Sequence, residues 1–202
     1  ASEYTDSLAL HGLENVYKTL PRVVSAAEES QELADQREKV IEGAFLISTA
    51  QGNTAMGLAG SLTKTFAAAF GGSNQEYFPA VLPNVVRFLG GRPRKFVASP
   101  NYLRFQAPQQ LAEICRRLGI EAREEDAGAA LAQALENLVS TFGVPLKVQD
   151  FEISEADFLE QLPELAQRTF DRESYSGTPR KATMAEIENM LKACYYGEEF
   201  VS

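Results

Sequence analysis

The stretch from Asn53 to Phe88 constrains this 202-residue chain more than any other. It reads as helix, short glycine turn, helix. Gly57 and Gly60, with Ala55, Ala59 and Ser61, would let another backbone pack very close to the first helix. A glycine inside a helix costs about 1 kcal/mol relative to alanine, so several small residues in one helix imply a packing or site-building reason. Gly71-Gly72 ends that helix, and Ser73 with Glu76 gives a capping box that opens the next. An apolar run follows through Tyr77, Phe78, Val81, Val85 and Phe88. Two buried helices meeting at a polar elbow can be the central hairpin of a helical core or the wall of a site; pattern alone leaves both open.

Helical periodicity continues on either side. Thr5 is expected to cap a helix carrying Leu13, Val16, Leu20 and Val23, with Pro21 kinking or interrupting it. Ala34 to Thr49 should form a second helix, charged early and apolar late (Val40, Ile41, Phe45, Leu46, Ile47), diving from solvent into the core. Pro108 fits the first turn of a helix to Leu118 closed by Gly119, and Ala127 to Phe142 forms another stopped by Gly143. Ser154 with Asp157 opens a helix from Phe158 to Phe170, interrupted or kinked near Pro163; Thr183 with Glu186 caps the last, through Met184, Ile187, Met190, Leu191 and Cys194. About eight helices and little strand signal predict an all-α fold, one bundle-like domain over residues 1–202.

Residues 90–107 break the periodicity with two prolines and a Gly-Gly pair, and read as a loop insertion with a short extended piece at Lys95 to Ala98. No acid occurs between Glu76 and Glu113, yet Arg87, Arg92, Arg94, Lys95 and Arg104 fall there. The loop is either a patch for phosphate or an acidic partner, or a solvated segment balancing an acidic remainder.

Composition removes several function classes. A net charge of −9 argues against a nucleic-acid partner, because phosphate neutralisation needs a basic excess. Cys115 and Cys194 lack metal-ligand spacing and read as buried reduced thiols of a cytoplasmic protein. No 18-residue apolar run or basic-then-apolar leader is present, so neither a membrane span nor a signal peptide is expected. His11 is the single histidine, and any chemistry needing two imidazoles is excluded. The carboxylate pairs Glu28-Glu29, Glu124-Glu125 and Glu198-Glu199 read as solvated faces or ends. Gly71-Gly72-Ser73 is a helix-to-helix turn, not the strand-to-helix phosphate loop of nucleotide-binding domains.

The order of motifs resembles the carboxy-terminal helical domain of the iron-containing (group III) alcohol dehydrogenases. Tyr4-Thr5-Asp6-Ser7-Leu8-Ala9-Leu10 looks like the entry to that domain, and Gly57-Leu58 through Pro83-Asn84-Val85-Val86-Arg87-Phe88 follows its metal-site hairpin without a gap. Leu111-Ala112-Glu113-Ile114 to Leu118-Gly119, then Phe142-Gly143-Val144-Pro145, then Thr178-Pro179-Arg180 fall in the family's order.

The resemblance implies an amino-terminal domain binding NAD(P), and iron or zinc held by one aspartate and three histidines that polarises the substrate oxygen for hydride transfer. The aspartate and first histidine would precede residue 1. The other two histidines belong on the central hairpin, fourteen residues apart, where this chain has Gly60 and Asn74. Glycine offers no ligand, and a neutral amide is a poor substitute for imidazole. A further active-site histidine position carries Lys64, and the one after the later proline carries Asn84. The Lys64 ammonium either takes the place of the cation and pairs with a carboxylate, or faces solvent.

Two functional expectations follow. In one, the chain is the helical part of a longer dehydrogenase with a nucleotide-binding domain encoded upstream of Ala1, and has no activity by itself. In the other it is a non-catalytic module for homo-oligomerisation, or for docking a partner through Arg92, Arg94 and Lys95.

Overall fold

The computed structural model describes residues 2–91, 105–173 and 177–201. Eight α-helices and no strand occur among them, as the periodicity predicts. Contacts group the chain into two units, Ala1–Ala55 with Arg116–Gly119, and Met56–Cys115 with Ile120–Ser202.

The first unit is a hairpin of α1 (Glu3–Ser25) and α2 (Gln31–Gly52). Ser2 caps α1, and Thr5, expected as the cap, sits one turn in and accepts from the Ser2 N–H at 2.8 Å. Pro21 neither ends nor splits α1. It lies in the last two turns of the helix, where few residues remain to be carried past the missing backbone donor. The two helices meet at a pair of glycines. A Cβ at Gly12 would lie 2.5 Å from the Gly43 carbonyl oxygen, and a Cβ at Gly43 would lie 2.8 Å from that of Gly12.

The second half of α2 does not enter a core. Only Leu33, Gly43 and Ala50 are buried, while Ile41 is 70% and Phe45 68% exposed. Its apolar residues are spread around the helix, so a single neighbour cannot cover them all, and Ile41 and Phe45 lie on the side away from the Gly12–Gly43 contact.

The second unit holds α3 (Gly57–Phe70), α4 (Asn74–Gly90), α6 (Ala127–Ser140), α7 (Glu155–Glu173), α8 (Met184–Tyr196) and the start of α5 (Ala107–Leu118). Leu62, Phe66, Val81, Phe158, Ile187 and Leu191 have no exposed surface and belong to one core cluster. Each such side chain contributes about 1.5–3 kcal/mol of burial. The Phe158 and Tyr195 rings stack 4.0 Å apart, and the Tyr195 hydroxyl donates to the Ile153 carbonyl at 2.8 Å.

Both anticipated capping boxes are present, Ser73 with Glu76 and Thr183 with Glu186. Gly71, Gly119 and Gly143 stop their helices with φ of 85°, 76° and 66°. Pro163 does not interrupt α7, which opens at Glu155, and α4 runs through Pro79 and Pro83. Buried neighbours on the same helices, Leu162 and Leu165 on α7, hold them through the missing bonds.

Two features tie the core together. Arg180 is 1% exposed and donates to the Phe88 carbonyl (2.6 Å), the Gly91 carbonyl (3.2 Å) and Glu186 Oε1 (2.6 Å). Its guanidinium also lies 4.0 Å from the Phe88 ring centroid. Asn84 fastens the segment after α8: its amide donates to the Glu198 carbonyl at 3.0 Å, and its oxygen accepts from the Phe200 N–H at 2.9 Å. Phe200 packs edge-on against Phe88. An Asn84→Leu change leaves two backbone groups unpaired at about 1–3 kcal/mol each. Hydrogen exchange at the Phe200 amide is expected to quicken by about tenfold or more, the factor that ~1.4 kcal/mol gives.

Candidate functional site

The hairpin α3–α4 carries the positions that the family resemblance marks. Gly57 takes φ +59° at the first residue of α3, a left-handed conformation that glycine adopts without strain. That turn brings Met56 back over the helix it precedes. A Cβ at Gly60 would meet the Met56 Cβ at 2.5 Å. The close approach expected at Gly60 therefore comes from a neighbouring side chain, not from another backbone. The backbone approach in this unit lies elsewhere, where a Cβ at Gly90 would sit 2.7 Å from the Gly128 Cα.

Around Gly60 the helix is buried and its polar groups are satisfied locally. Thr63 donates to the Gly60 carbonyl at 3.3 Å and Thr65 to the Ser61 carbonyl at 2.9 Å. Lys64 follows Gly60 by one turn but is exposed, and forms no ion pair with a described residue. Asn74, the first residue of α4, is half-buried. Asn84 is occupied by the carboxy-terminal segment, as above. Gly60 and Lys64 share a face of α3, and Asn74 opens the following helix.

A metal is a poor fit to these residues. Gly60 has no donor and no room for one beside Met56, and Asn74 supplies a neutral amide. His11 is an exposed residue of α1. No three His, Cys, Asp or Glu side chains among the described residues converge as a metal site.

The thiols are no better as nucleophiles. Cys115 and Cys194 are free and buried; burial pushes the Cys194 thiol up to about 12 and raises that of Cys115. Neither is expected to react with a thiol reagent until the protein unfolds, which a dithionitrobenzoate assay with and without denaturant checks.

A cleft of about 440 Å³ lies between α4, α6, the 3-10 turn Val148–Phe151 and the carboxy-terminal segment. Asn84, Glu136, Asn137, Lys147, Asp150 and Glu198 are among its lining residues, and Gly60, Lys64 and Asn74 are not. Glu136 is held by a bidentate pair with Arg87 at 2.6 and 2.9 Å, and Arg87 also reaches Glu199 at 3.2 Å. Arg87 is thus consumed internally and leaves the basic group to which sequence assigns it. Arg92, Arg94, Lys95 and Arg104 lie outside the described residues.

Met56 is the residue of this region that sequence reading missed. Its only signal was its place just before Gly57, four residues from Gly60.

An all-helical body with no strand among the described residues is the fold of a helical domain found in alcohol dehydrogenases. Residues 1–195 match the family described as "Fe-containing alcohol dehydrogenase family, C-terminal", and the chain belongs to that family. It is 28% identical to aldehyde-alcohol dehydrogenase 2 of Entamoeba histolytica over 197 residues, 97% of this chain and 22% of that protein. It is also 28% identical to the bifunctional aldehyde-alcohol dehydrogenase of Escherichia coli K12 over 205 residues, covering 100% of this chain and 23% of that protein. The chain therefore spans less than a quarter of these relatives.

Among solved structures, the fold is similar to an alcohol dehydrogenase from Oenococcus oeni (TM-score 0.75, 19% identity, 96% of this chain and 46% of that one). An iron-containing alcohol dehydrogenase from Thermococcus thioreducens aligns with TM-score 0.68 and 24% identity, over 98% of this chain and 46% of that one. No described helix is long and apolar enough to cross a membrane.

Proposed function

We propose that residues 1–202 are the helical domain of a longer dehydrogenase-type protein whose metal centre has been lost, and that the chain by itself does not oxidise alcohols. The nucleotide-binding domain that the family pairs with this one would lie upstream. Iron or zinc and NAD(P) would be the ancestral cofactors. The observation that carries this reading is Met56 placed over Gly60. The position where the resemblance expects a histidine lacks an imidazole, and the space in front of its backbone is filled. Asn74 as the second position offers a weak neutral donor in place of the other imidazole. A lost ligand with its space left open would be consistent with a recent or reversible change; here the surroundings have closed.

Lys64 remains the one cation of this helix face. Its exposure leaves it available to a carboxylate outside the described residues, the role proposed for it in place of the metal charge. Lys64→Met is then expected to leave the stability of the isolated chain unchanged and to lower that of the full gene product.

Metal analysis with nicotinamide calorimetry tests the reading. Purified chain and full gene product are expected to carry well under one iron or zinc per chain after growth in either metal. Tight stoichiometric metal in either, with alcohol-dependent reduction of NAD(P), would overturn it.

A further inference from the structure

We propose that the segment after α8 is a latch held in cis. The face of α4 that holds it, Asn84 with Arg87 and Phe88, is then a peptide-reading site for an acidic residue followed by an aromatic one. Gly197, with φ of 73°, turns the chain out of α8 and into this site. Of residues 197–201 only Phe200 is buried, while Glu198, Glu199 and Val201 stand in solvent. A segment anchored by one side chain opens locally more often than the helices it rests on.

The three α4 residues divide the recognition. The Asn84 amide donates to the Glu198 carbonyl at 3.0 Å and accepts from the Phe200 N–H at 2.9 Å. A carbonyl and the N–H two residues on point to the same side of an extended chain, where a neighbouring strand would pair them. These bonds hold a backbone and are blind to its side chains, so sequence is read beside them. Arg87 donates to Glu199 Oε1 at 3.2 Å, and the Phe88 ring takes Phe200 edge-on with centroids 5.7 Å apart. An acidic side chain followed by an aromatic one is the pair this arrangement selects, and the chain supplies it as Glu199-Phe200.

The latch also shapes the cleft beside it. Gly197, Glu198 and Glu199 are lining residues of the 440 Å³ cleft. When the latch opens, that wall leaves with it, and Arg87 is left with its bidentate pair to Glu136. Tethering decides what occupies the site. One glycine joins the latch to α8, which gives the cis segment an effective concentration of roughly millimolar or higher. A separate segment of the same type enters only where the cis copy is weakened.

The test is complementation in trans on chain 1–202. A fluorescein-labelled peptide, Gly-Glu-Glu-Phe-Val, is expected to bind the Phe200→Ala variant about tenfold or more tighter than the parent in fluorescence anisotropy, because the parent site is filled. It should also raise the melting temperature of that variant. The peptide with alanine in place of its phenylalanine is expected to lose this binding, as is the variant that also carries Asn84→Leu. Equal binding to parent and variant, no binding to a folded variant, or binding indifferent to both controls overturns the peptide-reading site. Hydrogen exchange on the parent chain keeps the latch open to refutation even if Phe200→Ala does not fold. The Phe200 amide is expected to exchange about a hundredfold or more faster than those of Met190 and Leu191. Equal protection would mean that the segment leaves only when the whole unit unfolds, and would overturn the latch.

Discussion

Arg180→Met is expected to destabilise the second unit by about 3–5 kcal/mol, the cost of removing one partner from a buried ion pair. Methionine fills much of the volume but returns none of the donors. Glu186 Oε1, the Phe88 carbonyl and the Gly91 carbonyl all lose their bonds to the guanidinium, and Phe88 loses the cation above its ring. Glu186 is also the capping-box partner of Thr183, so the start of α8 loosens with it. The melting temperature should fall by roughly 10–20 °C for a unit of this size. Arg180→Lys is expected to recover little of that, because one ammonium cannot reach three acceptors in the plane of a fork. Calorimetry of the three proteins decides the matter, and a loss under 1 kcal/mol would mean that the carbonyls find other donors.

Gly60→His is the second large effect, expected near 3 kcal/mol of destabilisation, at the top of the usual range for overpacking. The imidazole must displace Met56, whose Cβ lies 2.5 Å from the new one and cannot swing aside without its backbone. Adding Asn74→His supplies the second imidazole but no space, and the double variant is expected to bind zinc no more tightly than the parent. Met56→Gly should relieve at least half of the Gly60→His penalty, giving a coupling of about 1–2 kcal/mol in a double-mutant cycle. Additive effects of the two changes would show that Met56 does not close the position.

Local chemistry was legible in the sequence, and long-range chemistry was not. Ser73 with Glu76, Thr183 with Glu186, and the stops at Gly71, Gly119 and Gly143 lie where their spacing placed them, because each acts within one or two turns. The interruption expected at Pro21 and Pro163 does not occur, for the opposite reason. Pro21 and Pro163 each remove one bond locally, and packing around them outweighs that loss. The glycine pairs Gly12–Gly43 and Gly90–Gly128 join residues far apart in sequence, so no window could have matched them. In α2 the apolar residues were counted but their angular spread was not, which is why a helix expected to plunge inward keeps Phe45 in water.

The candidate site followed the same division. Gly60, Lys64, Asn74 and Asn84 could be marked by their order along the chain. What each does depends on neighbours that order does not reveal: a side chain folded back by Gly57, an open surface, a helix start, and a backbone segment clasped from both ends.

That clasp makes the last stretch of polypeptide a structural member of the unit. Shortening the chain at Gly197 would strip Phe200 from its ring partner and idle both ends of the Asn84 amide, so it should behave as a core mutation. Extra residues joined after Val201, which is 76% exposed, would leave from the surface and cost nothing. Affinity handles belong on that side of Phe200, and domain borders drawn before it would cut through the hydrophobic interior.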